Sequence, residues 1–88
     1  MSYLKVELVR TNCVFVLQIE NPTDTLRRLA MFFQDNNVLL NDFNLHRYQD
    51  GTAMIIANCQ VDKLRNDAIN SLLHLLPGVV KVQRMEGK

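Results

Sequence analysis

Tryptophan is absent from this sequence, and cysteine, glycine and proline are scarce: two, three and two residues among 88. Each shortage excludes something. Two cysteines with no Cys-x-x-Cys spacing build neither a zinc ribbon nor a disulfide scaffold. Glycines at 51, 78 and 87 sit where turns or the tail explain them, leaving none for a phosphate-cradling loop. Neither sign of charge dominates: ten basic residues stand against nine acidic ones, for a net charge of +1. That balance is not the footprint of a nucleic-acid binder. No apolar run approaches the ~20 residues of a membrane-spanning helix. The opening residues alternate in polarity and include a carboxylate, unlike a signal peptide, so the expected compartment is the cytoplasm.

Catalytic patterns are missing too. Ser71 lies mid-helix with no Gly-x-Ser-x-Gly elbow around it. His46 and His74 have no spaced ligand or triad partners and read as solvent-facing. Asp24, Asp50 and Asp62 all have capping or turn roles. No enzyme, metal or cofactor is expected.

What is present is regular. Tyr3 to Val9 alternates, with Leu4, Val6 and Leu8 on one face. It reads as an extra N-terminal strand or arm over residues 1–11. Residues 12–88 form the domain proper. Cys13 to Glu20 is a strand apolar on both faces early on, as a central strand would be. Asn21-Pro22-Thr23-Asp24 reads as a helix start: Asn as N-cap, Pro at the first helical position, Asp24 reaching back in a capping box. Leu26, Leu29, Ala30 and Phe33 make that helix's apolar stripe, and Asn36-Asn37 ends it. Val38 to Tyr48 is a strand with a parity fault, since Val38 and Leu40 fall on one face but Phe43 and Leu45 on the other. A β-bulge near Asn41-Asp42 repairs it. Asp50-Gly51 turns the chain into a hairpin, and Thr52 to Cys59 returns. Asp62 starts a second helix with an inner stripe of Leu64, Ala68, Ile69, Leu72, Leu75 and Leu76. Pro77-Gly78 breaks it, and Val79 to Met85 is the last strand.

The order βαββαβ predicts an α+β, ferredoxin-like sandwich with both helices on one sheet face. The other face is expected to carry Val14, Val16 and one side of Ala53, Ile55 and Ala57. It offers no stacking aromatics, which argues against the RNA-binding version of this fold. The first and third core strands are expected to be parallel neighbours, which puts Cys13 and Cys59 at opposite ends of the sheet, and both stay thiols. A domain this small is marginal alone, and an open apolar face favours a homodimer.

Asn21-Pro22-Thr23-Asp24-Thr25-Leu26, followed by Arg28 through Leu40, resembles an ACT domain. It is most like the small regulatory subunit of acetolactate synthase. Leu72 through Val82 has that subunit's helix-to-strand character, and the resemblance spans Asn12 to Met85. It implies side-by-side dimers that bind a small effector, often an amino acid, and control a larger catalytic subunit in branched-chain amino acid metabolism. The implied ligand residues are Asn21, Pro22, Thr23, Asp24 and Thr25 in the loop, with Leu39, Leu40 and Asn41 on the next strand. Two positions depart from the family pattern. Asp24 replaces the loop glycine, where an acid would repel an effector carboxylate, and Leu39 replaces the ligand-facing Asn. The alternative reading is a dimerisation module that binds no effector.

Overall fold

The computed structural model describes residues 9–86. Of the arm expected over residues 1–11, residues 1–8 lie outside them, and Arg10 and Thr11 belong to the first core strand. The elements are β1 (Arg10–Ile19), α1 (Pro22–Asp35), β2 (Leu39–Arg47), β3 (Ala53–Asp62), a 3-10 turn (Lys63–Arg65), α2 (Asn66–His74) and β4 (Val79–Glu86). The sheet order is β2-β3-β1-β4, and each neighbouring pair is antiparallel.

Side chains alternate across this sheet with period two. Cys13, Phe15, Leu17 and Ile19 of β1 are buried, as are Ala53, Ile55, Ala57, Cys59 and Val61 of β3. They meet Leu29 and Phe33 of α1 and Ile69 and Leu73 of α2 in one cluster. Both helices therefore cover the same face. Ala53, Ile55 and Ala57 belong to this covered face, contrary to the sequence expectation. The open face instead carries Val14, Val16, Met54 and Ile56, each partly exposed.

Local signals explain the boundaries. At the end of α1, Asn37 adopts φ 54°. Val38 N–H donates to Phe33 O at 2.9 Å and Asn37 N–H to Gln34 O at 3.3 Å. This is a Schellman close, with Val38 and Phe33 supplying the usual apolar contact. The expected bulge is present: Leu40 pairs with Cys59 and Asp42 with Asn58, leaving Asn41 as the extra residue. Between β2 and β3, Gly51 takes φ 90°, and Asp50 accepts from the Thr52 N–H at 2.9 Å and hydroxyl at 2.6 Å. Those two bonds hold the Asp50 carboxyl below its ordinary range.

The second helix corrects the expected stripe. Asp62 accepts from Leu64 N–H at 3.0 Å and starts a 3-10 turn, not the α-helix itself. The inner positions are then Ile69 and Leu73, with Leu76 partly buried. Leu64 is 94% exposed and Leu75 77%; Leu72 and Ala68 also face outward. The 3-10 turn advances the chain by 3.0 residues per turn instead of 3.6, and the leucine pattern read through it loses phase.

The cysteines need the larger correction. β1 and β3 are antiparallel, and Cys13 sits directly opposite Cys59. Both are buried thiols. Lys63 N–H donates to Val9 O at 2.9 Å, so by alternation along the ladder the Cys13/Cys59 pair is of the hydrogen-bonded type. Such pairs hold their Cβ atoms about 5.5 Å apart, beyond the ~3.5–4.5 Å a disulfide wants. Cys13 Sγ lies 3.8 Å from Asn66 Oδ1. Burial, then the nearby Cys13 and Asp42, push the Cys59 thiol up to about 12.

One tertiary contact closes the sandwich at the far end. Thr25 is fully buried, and its hydroxyl donates to Glu20 O at 2.5 Å. Glu20 N–H donates to Gly78 O at 2.8 Å. Gly78 has φ 91°, and a Cβ there would overlap Thr25 Oγ1.

Replacing Gly78 with Ala should therefore destabilise the domain by about 2–5 kcal/mol, combining left-handed backbone cost with overpacking. In chemical denaturation the loss should be smaller on a Thr25→Ala background; strict additivity would count against the contact. A second expectation concerns pH. Folding favours the neutral Cys59 thiol, so its contribution is complete below the ordinary value of 9.0 and is lost as pH rises towards about 12. Stability measured from pH 8 to 11 should fall more steeply in the native protein than in Cys59→Ala.

Candidate functional site

Asn21 follows the C-terminal end of β1 as the N-cap of α1, and Pro22 to Thr25 form that helix's first turn. Asn21 has φ 47° and ψ 64°, and its side chain makes no capping bond. The expected capping box is thus not formed. A left-handed residue turns the chain sharply, and that backbone aims the Asn21 side chain away from the first helical N–H groups. The first helical bond is Thr25 N–H to Asn21 O at 2.9 Å. Asn21, Thr23 and Asp24 are exposed, and Pro22 is half-buried. Thr25, buried beneath Gly78, serves the fold and is closed to a ligand.

Leu39, Leu40 and Asn41 lie at the start of β2. Leu39 is level with Gln60 of β3, and Gln60 with Asn12 of β1. They are therefore at the opposite end of the sheet from Asn21. The 14 residues of α1 put about 21 Å between the two groups. Within one chain the two halves of the predicted site do not meet.

The β2 edge shows something the sequence reading missed. Leu26, Ala30 and Phe33 of α1 and Leu40 and Phe43 of β2 wall an almost wholly apolar cavity of about 80 Å³, floored by Ile55. Leu39, Leu40 and Phe43 are 42–49% exposed beside it. The switched parity of Phe43 and Leu45 was the available signal: it turns them towards the helix layer, where α1 covers them incompletely. Across the bulge, on the open face, a second hollow of about 400 Å³ is lined by Asn12, Asn41, Asp42, Asn58 and Gln60 and touches both cysteines. Asn58 Nδ2 donates to Asp42 Oδ1 at 2.6 Å there. His46 stacks edge-on against Tyr48, ring centres 4.8 Å apart, and His74 is exposed. Among the described residues no three His, Cys, Asp or Glu side chains converge as a metal set, and no helix is long and apolar enough to cross a membrane.

The loop geometry is open to test. Serine is as good an N-cap as asparagine but much less tolerant of the left-handed region. Asn21→Ser should cost about 1 kcal/mol, while Asn21→Gly should be neutral or mildly stabilising. Equal stability of the native protein and Asn21→Ser in urea melts would restore the capping role.

No protein-family model matches this chain, and no curated protein sequence does. Solved structures do. The C-terminal domain of the MgtC protein from Mycobacterium tuberculosis matches with a TM-score of 0.68 at 15% identity, over 96% of this chain and 94% of that one. An uncharacterised protein from Thermotoga maritima matches with 0.70 at 13%, over 91% and 100%. A homoserine dehydrogenase from Thiobacillus denitrificans matches with 0.71 at 20%, over 91% of this chain but only 18% of that one. At such identities the likeness is one of fold, and it agrees with the strand order found here: the chain is an α+β domain of the ferredoxin-like βαββαβ type.

Proposed function

We propose that this domain is a non-catalytic regulatory module of the ACT type, pairing side by side through β2 and sensing a small amino acid across the pair. The observation that carries the reading is the arrangement of the two half-sites. Antiparallel pairing of two β2 edges reverses one copy relative to the other. The Asn21–Asp24 loop of one copy then approaches Leu39–Asn41 of the second, although the two lie apart in a single chain. The exposed Leu39, Leu40 and Phe43, with the apolar cavity behind them, give such a pair surface to bury.

The chemistry of the composite site fits a zwitterion with an apolar side chain. The start of α1, uncapped by Asn21, offers N–H groups and the positive end of the helix dipole to a carboxylate. Asp24, exposed and not engaged as a cap, can attract the ammonium group. Leu39 and Leu40 suit an aliphatic side chain. These features favour a branched-chain amino acid and, with the sequence resemblance, a catalytic partner of the acetolactate synthase kind in the cytoplasm. That this fold matches an 18% portion of a homoserine dehydrogenase supports a module that works beside a catalytic unit. The second reading, a dimerising module with no effector, is favoured by the same Asp24, whose charge opposes a carboxylate at the helix start.

Thermal melts with each of the common amino acids separate the two. Sensing predicts stabilisation of about 1.4 kcal/mol at ten times Kd, several degrees for a domain of this size, lost in Leu40→Lys. If no amino acid at millimolar concentration moves the melt while the chain still pairs, the effector-free reading stands.

A further inference from the structure

We infer that the open sheet face is itself an interface, against the same face of a second copy, with the two sheets crossed at close to a right angle. The inference is separate from the β2 pairing and from any effector.

The composition of the face motivates it. Its centre is Val14, Val16, Met54 and Ile56, surrounded mainly by Asn and Gln side chains. Among the described residues on the levels from Asn12 to Gln18, its only charged groups are Asp42 and Lys81. The chain has ten basic and nine acidic residues, and nearly all are placed elsewhere. An apolar centre, a polar rim and depletion of charge are what a contact surface shows.

The positions of those two charges identify the occupant. Asp42 is on one edge strand, level with Val14 through Asn58. Lys81 is on the other edge strand, level with Gln18. With strands about 4.8 Å apart and a rise of about 3.3 Å per residue, they stand about 20 Å apart at diagonal corners. The midpoint of that diagonal falls between Val16 and Ile56, which are cross-strand partners. A two-fold axis between two facing sheets, perpendicular to this diagonal, brings Asp42 of each copy onto Lys81 of the other. The same operation turns the strands by nearly 90°, one of the two preferred modes of sheet packing. A two-fold axis along or across the strands would instead set Asp42 against Met85 or His46. The face is thus self-complementary in shape class, apolar centre and charge at once. The crossed overlap is about 19 Å on a side, four strand widths, which is small, so the association should depend on concentration.

Charge exchange tests this on the full chain. Sedimentation equilibrium over a concentration series should show Asp42→Lys and Lys81→Asp each weakening self-association about tenfold or more. The double variant, in which Lys at 42 faces Asp at 81, should return to within about threefold of native. Leu40→Lys, which breaks the β2 edge contact, should leave this charge-sensitive step intact. If Leu40→Lys alone gives a monomer at every concentration, or the double variant is no tighter than the singles, or the singles match the native chain, the crossed-sheet interface is wrong. If Leu40→Lys changes nothing while the charge swap behaves as expected, the crossed-sheet interface holds and the β2 pairing fails.

Discussion

Everything in this domain hangs on the register between β1 and β3. Ten consecutive pairs, from Arg10 opposite Asp62 to Ile19 opposite Ala53, decide which side chains meet the helices. A slip of one residue would send either Phe15 and Leu17 of β1 or Ile55 and Ala57 of β3 to the open face, and bring Gln18 or Asn58 beneath α1 and α2. Burying those amides without partners would cost more than the remaining apolar contacts return. The register is over-determined, because β4 and β2 read it from both sides and the bulge at Asn41 adjusts β2 to it.

Much of this was legible in the sequence because the signals were local. Asp50-Gly51 specifies a hairpin whatever surrounds it. The parity fault between Leu40 and Phe43 has only one inexpensive repair. Asn37, next to a buried Val38, is a helix stop that works through its own backbone. The element order then leaves few topologies open. What failed depended on direction or phase. Strand sequences do not say whether neighbours run parallel, so Cys13 and Cys59 were separated when they face each other. The 3-10 turn at Lys63–Arg65 shifted the phase of α2 and turned Leu64, Leu72 and Leu75 outward. At Asn21 the residue type allowed two roles, side-chain cap or left-handed backbone, and the tight crossing into α1 under Gly78 selected the second.

The candidate site was legible as residues and illegible as a place. Asn21, Thr23 and Asp24, like Leu39 to Asn41, are exposed, yet one helix length separates the two groups. Single-chain reasoning cannot join them, because the missing element is a symmetry operation. The two edges of the sheet also differ in character. β2 presents apolar side chains beside an apolar cavity. β4 presents Lys81 and Gln83, with Val80 as an extra residue where its register with β1 shifts.

The strand order has a consequence for how the domain is made. β1 is the first described strand to leave the ribosome, but it lies between β3 and β4, and β4 comes last. Until then one whole flank of β1 has backbone groups with no ladder partner, and Thr25 lacks the Gly78 that closes over it. Until β4 pairs, the nascent chain therefore holds an exposed, apolar strand edge, the kind of surface on which incomplete chains adhere to one another. Only when that last described strand pairs does β1 gain its second ladder and Thr25 its cover.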